Sequence, residues 1–330
     1  MALPGSREAA QWFLATLALV TVGAGAAASS PPSPSPTPTC TGIAPRFSCR
    51  MQQRITAVEK YLVGSPGSIG VVLDDRATGA IWRSANATME YPAASTMKLA
   101  MITDLLLRNQ AAVGHIHLTA TDRKEMHQAL YTSNDIDAND LWDKYENGSF
   151  LRRIQAFGMT RAEFTGSPPN WGYMYCTAED LDDLMNYVLG KPPASIRDYL
   201  IYRLRHVSPL DQQWGVWGAG PENQPGNKDG WEHPPADGSY WWITNTVGFA
   251  VPGPEFTLAM MYNLYNYGGK RQRRVLLRRQ QADPDSVHPV PGPPHRGPPP
   301  SALRRPLTRV LPAIVMATER RSMRMGIGWT

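Results

Sequence analysis

Extended-chain patterns stand near both ends of the body of this sequence, and helical spacing fills the middle. Residues Ser68 to Ser84 run around Asp74-Asp75-Arg76-Ala77-Thr78-Gly79, with Val71, Val72 and Leu73 on one arm and Ala80, Ile81 and Trp82 on the other. Two such runs about a turn-forming stretch predict a β-hairpin. Trp241 to Val251 and Glu255 to Asn263 predict two further strands joined by Pro252-Gly253-Pro254, a strong turn signal. Helices are predicted over 51–62, from Ser95 to about Gln110, and near 121–131, 137–147, 149–157 and 177–189. Strands on both sides of a helical stretch imply one antiparallel sheet assembled from both ends of the body. The expected class is α/β in content and α+β in arrangement, an antiparallel sheet flanked by helices with an inserted all-helical region.

The flanks differ from the body. Arg7 precedes a mostly apolar stretch from Trp12 to Ala28, which closes on Ala26 and Ala28 before Ser29. This predicts a signal peptide over 1–28, with an uncleaved N-terminal anchor as the alternative. Residues 29–39, rich in Pro and Ser, predict an extended linker. The folded domain is expected over 40–269. Thirteen of the 33 Lys and Arg but three of the 28 acids lie from Lys270 onward, so the first 269 residues carry a surplus of about five acids. An acidic body argues against a nucleic-acid-binding surface. The basic, Pro-rich stretch 270–330 is expected to be disordered or frame-altered, and otherwise a tail drawn to an anionic wall or membrane surface. Export to an oxidising compartment favours a local disulfide between Cys40 and Cys49, with Cys176 a buried thiol. The expected location is secreted, extracellular or wall-associated, and the expected state is monomeric.

The chemistry begins at Ser95-Thr96-Met97-Lys98. On a helix that starts at Ser95, Lys98 stands on the same face one turn later. Leu99, Ala100, Met101, Ile102, Leu105, Leu106 and Leu107 make that helix apolar nearly all round, which predicts burial. Burial disfavours the charged form of a lysine, and a neutral amine can take the proton of a serine hydroxyl. The free N–H groups at the helix start can face a developing oxyanion.

Two later stretches, Ser133-Asn134-Asp135 with Asn139, and Lys228-Asp229-Gly230-Trp231, follow in order. Together the three resemble the S-x-x-K, S-D-N and K-T-G motifs of the penicillin-binding protein and class A β-lactamase superfamily. The resemblance spans about 52 to 267. It is nearest to short secreted actinobacterial-type members, in which a segment like Gln213-Trp214-Gly215-Val216 precedes the third motif. It implies a β-lactamase or transpeptidase-like fold and a serine hydrolase acting on β-lactams or cell-wall peptides without a cofactor. Ser95 would be the nucleophile and Lys98 its base. Ser133 would relay a proton to the leaving nitrogen, and Lys228, on an edge strand, would hold Ser133 and attract a substrate carboxylate. Asp135, Asn139, Asp229, Gly230 and Trp231 would contact substrate, with the Trp231 N–H completing the oxyanion hole.

Departures from the family pattern bear on the reaction. Asp135 replaces a neutral amide with a carboxylate, and Asp229 puts a negative charge where the family has a hydroxyl for a substrate carboxylate. The E-x-x-L-N segment, whose Glu positions a deacylating water in class A β-lactamases, has no counterpart. The corresponding stretch, Thr160 to Gly172, offers Glu163 as its one acid and the candidate for a deacylating base. Slow deacylation is therefore expected. His115-Ile116-His117, with Asp122 and His127 nearby, is a weak zinc pattern, and no metal is expected. Aromatic residues including Trp171, Tyr173, Trp214 and Trp231 divide between core packing and the lining of a ligand cleft.

Overall fold

The computed structural model describes residues 46–65, 67–232, 235–236, 239–240, 243–250 and 255–264. The expected leader, the linker, Cys40 and the basic tail lie outside them. The chain divides after Thr39, and every described residue belongs to the unit Cys40–Thr330.

In chain order the elements are α1 (Cys49–Val63), β1 (Ser68–Asp75), β2 (Ala80–Arg83), β3 (Tyr91–Pro92), a 3-10 turn (Ala94–Thr96) and α2 (Met97–Gln110). Helices α3 (Ala120–Tyr131), α4 (Asp135–Tyr145) and α5 (Phe150–Gln155) follow. Then come β4 (Glu163–Phe164), a 3-10 turn (Trp171–Tyr173), β5 (Met174–Cys176), α6 (Ala178–Gly190) and α7 (Ala194–Arg205). The series ends with β6 (Gly226–Glu232), the short pair β7 (Pro235–Ala236) and β8 (Ser239–Tyr240), β9 (Ile243–Ala250) and β10 (Phe256–Asn263). The expected hairpin, the two late strands and the helical middle are all present. Helix α7 and the β3–β5–β4 sheet were not anticipated.

The main sheet is antiparallel in the order β2–β1–β10–β9–β6. Ser68 stands opposite Asn263 and Asp75 opposite Phe256, so the two ends of the body close on each other in adjacent strands. Both faces are covered. Ile69, Val71, Leu73, Leu258, Met260 and Tyr262 pack with Met51, Ile55 and Val58 of α1. Val72, Val247, Phe249, Ala259 and Met261 face the other way, into the core built by α2 and α6. Two-sided burial explains why β9 and β10 are inaccessible at nearly every position instead of alternating with polar residues.

Local signals set the element ends. The β1–β2 turn is held by Asp75 Oδ1, which accepts from the N–H groups of Ala77 and Thr78, and Gly79 takes the positive φ that closes it. Helices α3 and α6 each open on a capping box, Thr119 with Asp122 and Thr177 with Asp180. Cys49 is disulfide-bonded, and Cys176 is a buried free thiol.

Candidate active site

The expected nucleophile stands at the entry to the most deeply buried helix. The 3-10 turn Ala94–Thr96 precedes α2, whose residues from Met97 to Leu106 are all buried. Asn245 on β9 donates to the carbonyls of Pro92 and Ala93 at 2.9 and 3.0 Å, and Thr96 Oγ1 donates to Ala93 O at 2.6 Å. These bonds tie the segment before Ser95 to the sheet. Ala94 adopts φ +48. A non-glycine residue in that region costs about 1–3 kcal/mol and persists only where its surroundings over-determine it.

Strand β6 closes against this turn at the edge of the sheet. A Cβ at Gly230 would lie 2.9 Å from Ser95 N and 2.7 Å from Thr96 N, so the third motif needs glycine for the strand to come this near. Alternation then divides β6. Lys228 and Gly230 face the side of Ser95, whereas Asp229 and Trp231 face the opposite core, where Trp231 packs edge-on to Trp214.

Lys98 and Lys228, both fully buried, meet at Ser133. Lys98 Nζ donates to Ser133 O at 2.6 Å and to Ser133 Oγ at 3.3 Å, and Lys228 Nζ donates to Ser133 Oγ at 2.9 Å. Ser133 reaches between the two amines because its backbone takes φ +64, the second such position at the site. It does not cap α4. That task falls to Asn134, whose side chain accepts from the N–H groups of Ile136 and Asp137. Ser133 and Asp135 are thus left to face Lys98.

Three expected residues stand in settings that the motifs alone do not disclose. Asp135 points its Oδ1 at Lys98 Nζ, 2.5 Å away, so the carboxylate at this position forms an ion pair with that amine. Asp229 is fully buried on the far face of β6, opposite Thr246, and burial pushes its carboxyl far above the usual range. Buried there, its side chain is turned away from the side of Ser95, where a substrate carboxylate would lie. The N–H groups of Lys228 are also committed, to Ser133, to Gln212 Oε1 at 2.9 Å and to Asp229 O at 2.6 Å. These bonds hold the amine beside Ser133.

Electrostatics follow from this packing. Burial lowers the Lys98 amine from 10.5 to about 8, and the Asp135 carboxylate keeps it from falling further. Burial, reinforced by the neighbouring Lys98, drives Lys228 well below the lysine range.

The remaining expected residues stand apart from these bonds. Glu163 lies on β4, paired with Tyr175 across the small sheet. The side chain from its segment that covers Lys98 is Trp171, with the amine 4.6 Å from the ring centroid. Asn139 accepts from Trp171 Nε1 at 2.9 Å. Asp122, part of the weak zinc pattern, is occupied by the capping box of α3 and by Lys144. Gln212 and Trp171 are site residues that the sequence reading missed as such. Gln212 stands in no motif, and Trp171 was one aromatic among several.

No family model matches the sequence, and no curated protein does. Solved structures do match. A class A β-lactamase representative from Bacteroides cellulosilyticus superposes with a TM-score of 0.54 at 12% identity, covering 72% of this chain and 100% of its own. A variant of the last common ancestor of Gram-negative class A β-lactamases gives 0.54 at 15% identity, covering 82% of this chain and 98% of its own. PBP-A gives 0.50 at 16%, covering 71% and 95%. The sheet order, the helical insertion and these superpositions agree, and the chain has the fold of the serine β-lactamase and penicillin-binding protein superfamily.

Proposed function

We propose that this protein is a serine hydrolase that forms an acyl-enzyme on Ser95 with β-lactams or cell-wall peptides ending in D-amino acids, and clears it slowly. The observation that carries this reading is the placement of Ser133 Oγ between two buried amines, 3.3 Å from Lys98 and 2.9 Å from Lys228. In the proposed reaction, neutral Lys98 takes the Ser95 proton as Oγ bonds to the carbonyl carbon. The N–H groups of Ser95 and Trp231 meet the charge on the carbonyl oxygen. The C–N bond breaks as Ser133 gives its proton to the leaving nitrogen, and the Lys98 ammonium restores that proton to Ser133. With the amine at about 8, roughly a tenth of the molecules hold it neutral at pH 7, so acylation should rise with pH.

The Lys98–Asp135 ion pair favours a second reading, a wall-associated penicillin-binding protein that keeps the fold with little or no turnover. Secretion behind a 1–28 leader and a 29–39 linker, with a 40–269 domain, belongs to the same proposal. Incubation with a fluorescent penicillin, followed by intact-mass measurement of the wild type and Ser95→Ala, tests it. Label on the wild type alone is the expected result, and equal labelling of both defeats the reading.

A further inference from the structure

An ester on Ser95 survives until water reaches its carbonyl carbon, and one large side chain stands where the 163–176 segment meets Lys98. Trp171 opens a 3-10 turn that packs against both the Ser95 turn and α2. Its ring lies over Lys98 Nζ at 4.6 Å, its Nε1 donates to Asn139 Oδ1 at 2.9 Å, and the residue is 6% exposed. The turn itself is fixed by Asn170, whose side chain accepts from Gly172 N at 2.8 Å. Lys98 is also held by Ser133 and Asp135. The fully buried amine thus has a carboxylate and an indole as close neighbours.

An indole has a single polar donor and no acceptor, and here the donor is spent on Asn139. The ring covering Lys98 can neither hold a water by a hydrogen bond from its face nor take a proton from one. We propose that Trp171 sets the lifetime of the acyl-enzyme by keeping water away from the ester beside Lys98. This rests on the acyl-serine reading above. In the hydrolysis that Trp171 withholds, a water oxygen bonds to the acyl carbon and its proton passes to a base. The bond from the acyl carbon to Ser95 Oγ then breaks, and Oγ recovers a proton. Trp171 takes part in none of these transfers, so it is a positioning residue whose removal should change the hydrolytic step.

The test loads wild type, Trp171→Ala, Trp171→Phe and Asn139→Ala with fluorescent penicillin, removes the excess, and follows loss of label together with intact mass. Trp171→Ala should shorten the half-life of the adduct by at least about tenfold, since an opened site admits water to a reactive intermediate. Trp171→Phe keeps a ring over Lys98 and should stay near the wild type, whereas Asn139→Ala, which releases the indole, should fall between. A melting curve of each labelled protein separates this from general loosening, which would shorten adduct lifetime and lower the melting temperature of the Phe variant too. Equal half-lives in the wild type and Trp171→Ala overturn the inference. If Trp171→Ala does not fold, equal half-lives in the wild type and Asn139→Ala overturn it. A wild type that takes no label overturns the acyl-serine reading instead.

Discussion

Replacing Asp135 by Asn removes one charge and nearly keeps the shape, and its effect can be worked from the Lys98 contact. Asp135 Oδ1 lies 2.5 Å from Lys98 Nζ, and this carboxylate is the main influence opposing burial at the amine. With the amine at about 8, its neutral share at pH 7 is roughly a tenth. An opposite charge at contact favours the charged form by roughly ten- to a thousandfold, so its loss should raise that share to between half and nearly all. If acylation draws on neutral Lys98, Asp135→Asn should be acylated about five- to tenfold faster at pH 7. At pH 9.5, where wild-type Lys98 is already neutral, the two proteins should converge. The assay is the second-order rate of labelling by a fluorescent penicillin from pH 5.5 to 10. A variant with an unchanged pH profile would show that the ion pair does not govern the base. A variant slower at every pH would show that Asp135 serves the substrate directly.

Three further outcomes are expected. Lys98→Ala should lose at least about a hundredfold in acylation rate while keeping its helical circular dichroism, because it removes the proposed base and no large apolar group; an unchanged rate would refute the mechanism. Gly230→Ala should cost about a hundredfold in labelling, since a Cβ 2.9 Å from Ser95 N and 2.7 Å from Thr96 N must move the strand or the turn; wild-type labelling would show that the contact is dispensable. Asp182, which accepts from Thr257 Oγ1 at 2.6 Å and Asn186 Nδ2 at 3.1 Å, is pushed up to about 7 by burial, with Asp74 adding to it. A folded value above the ordinary 3.8 gives stability that is present at low pH and lost as pH rises through 7. Asp182 should therefore contribute about 2 kcal/mol more to stability at pH 5.5 than at pH 8.5, read in urea denaturation as the part of the pH-dependence that its replacement removes. Asp182→Asn should lower the difference in stability between the two pH values by that amount, and an undiminished difference in the variant would refute the assignment.

How far the fold was legible depended on whether a residue's partners were near in sequence. The hairpin at Asp75 to Gly79 and the capping boxes at Thr119 and Thr177 are local, and the helices and strands they bound stand where periodicity set them. Helix α7 carries a helical stripe in Ile196, Leu200 and Leu204 behind Pro193, which is legible in the sequence. The short strands β3, β4 and β5 have no period to detect at two or three residues each. In the site, motif order led to Lys98, Ser133 and Lys228, which the fold joins across separations of 35 and 95 residues. Gln212 and Trp171 gave no such lead, because each acts through one partner brought near by tertiary packing. Asp229 misled for a related reason. Spacing placed it in the motif, but strand alternation turns it to the far face.

The order of the two residues after Ser133 carries a consequence that the helix itself does not impose. Asn134 caps α4 by accepting from the N–H groups of Ile136 and Asp137. An aspartate at that position would cap as well as asparagine and would also suit the positive end of the helix dipole. The start of α4 is therefore compatible with either order of Asn and Asp. Lys98 is not. With Asp at 135 the amine has an anion at 2.5 Å, and with Asn it would have a neutral group. The energetic difference between the two orders falls on the protonation of Lys98, in the one place where the proposed reaction needs a lone pair. With its second motif running Ser-Asn-Asp, this chain holds Lys98 mostly charged at neutral pH, and under the proposed reaction slow acylation that quickens toward alkaline pH is the expected signature.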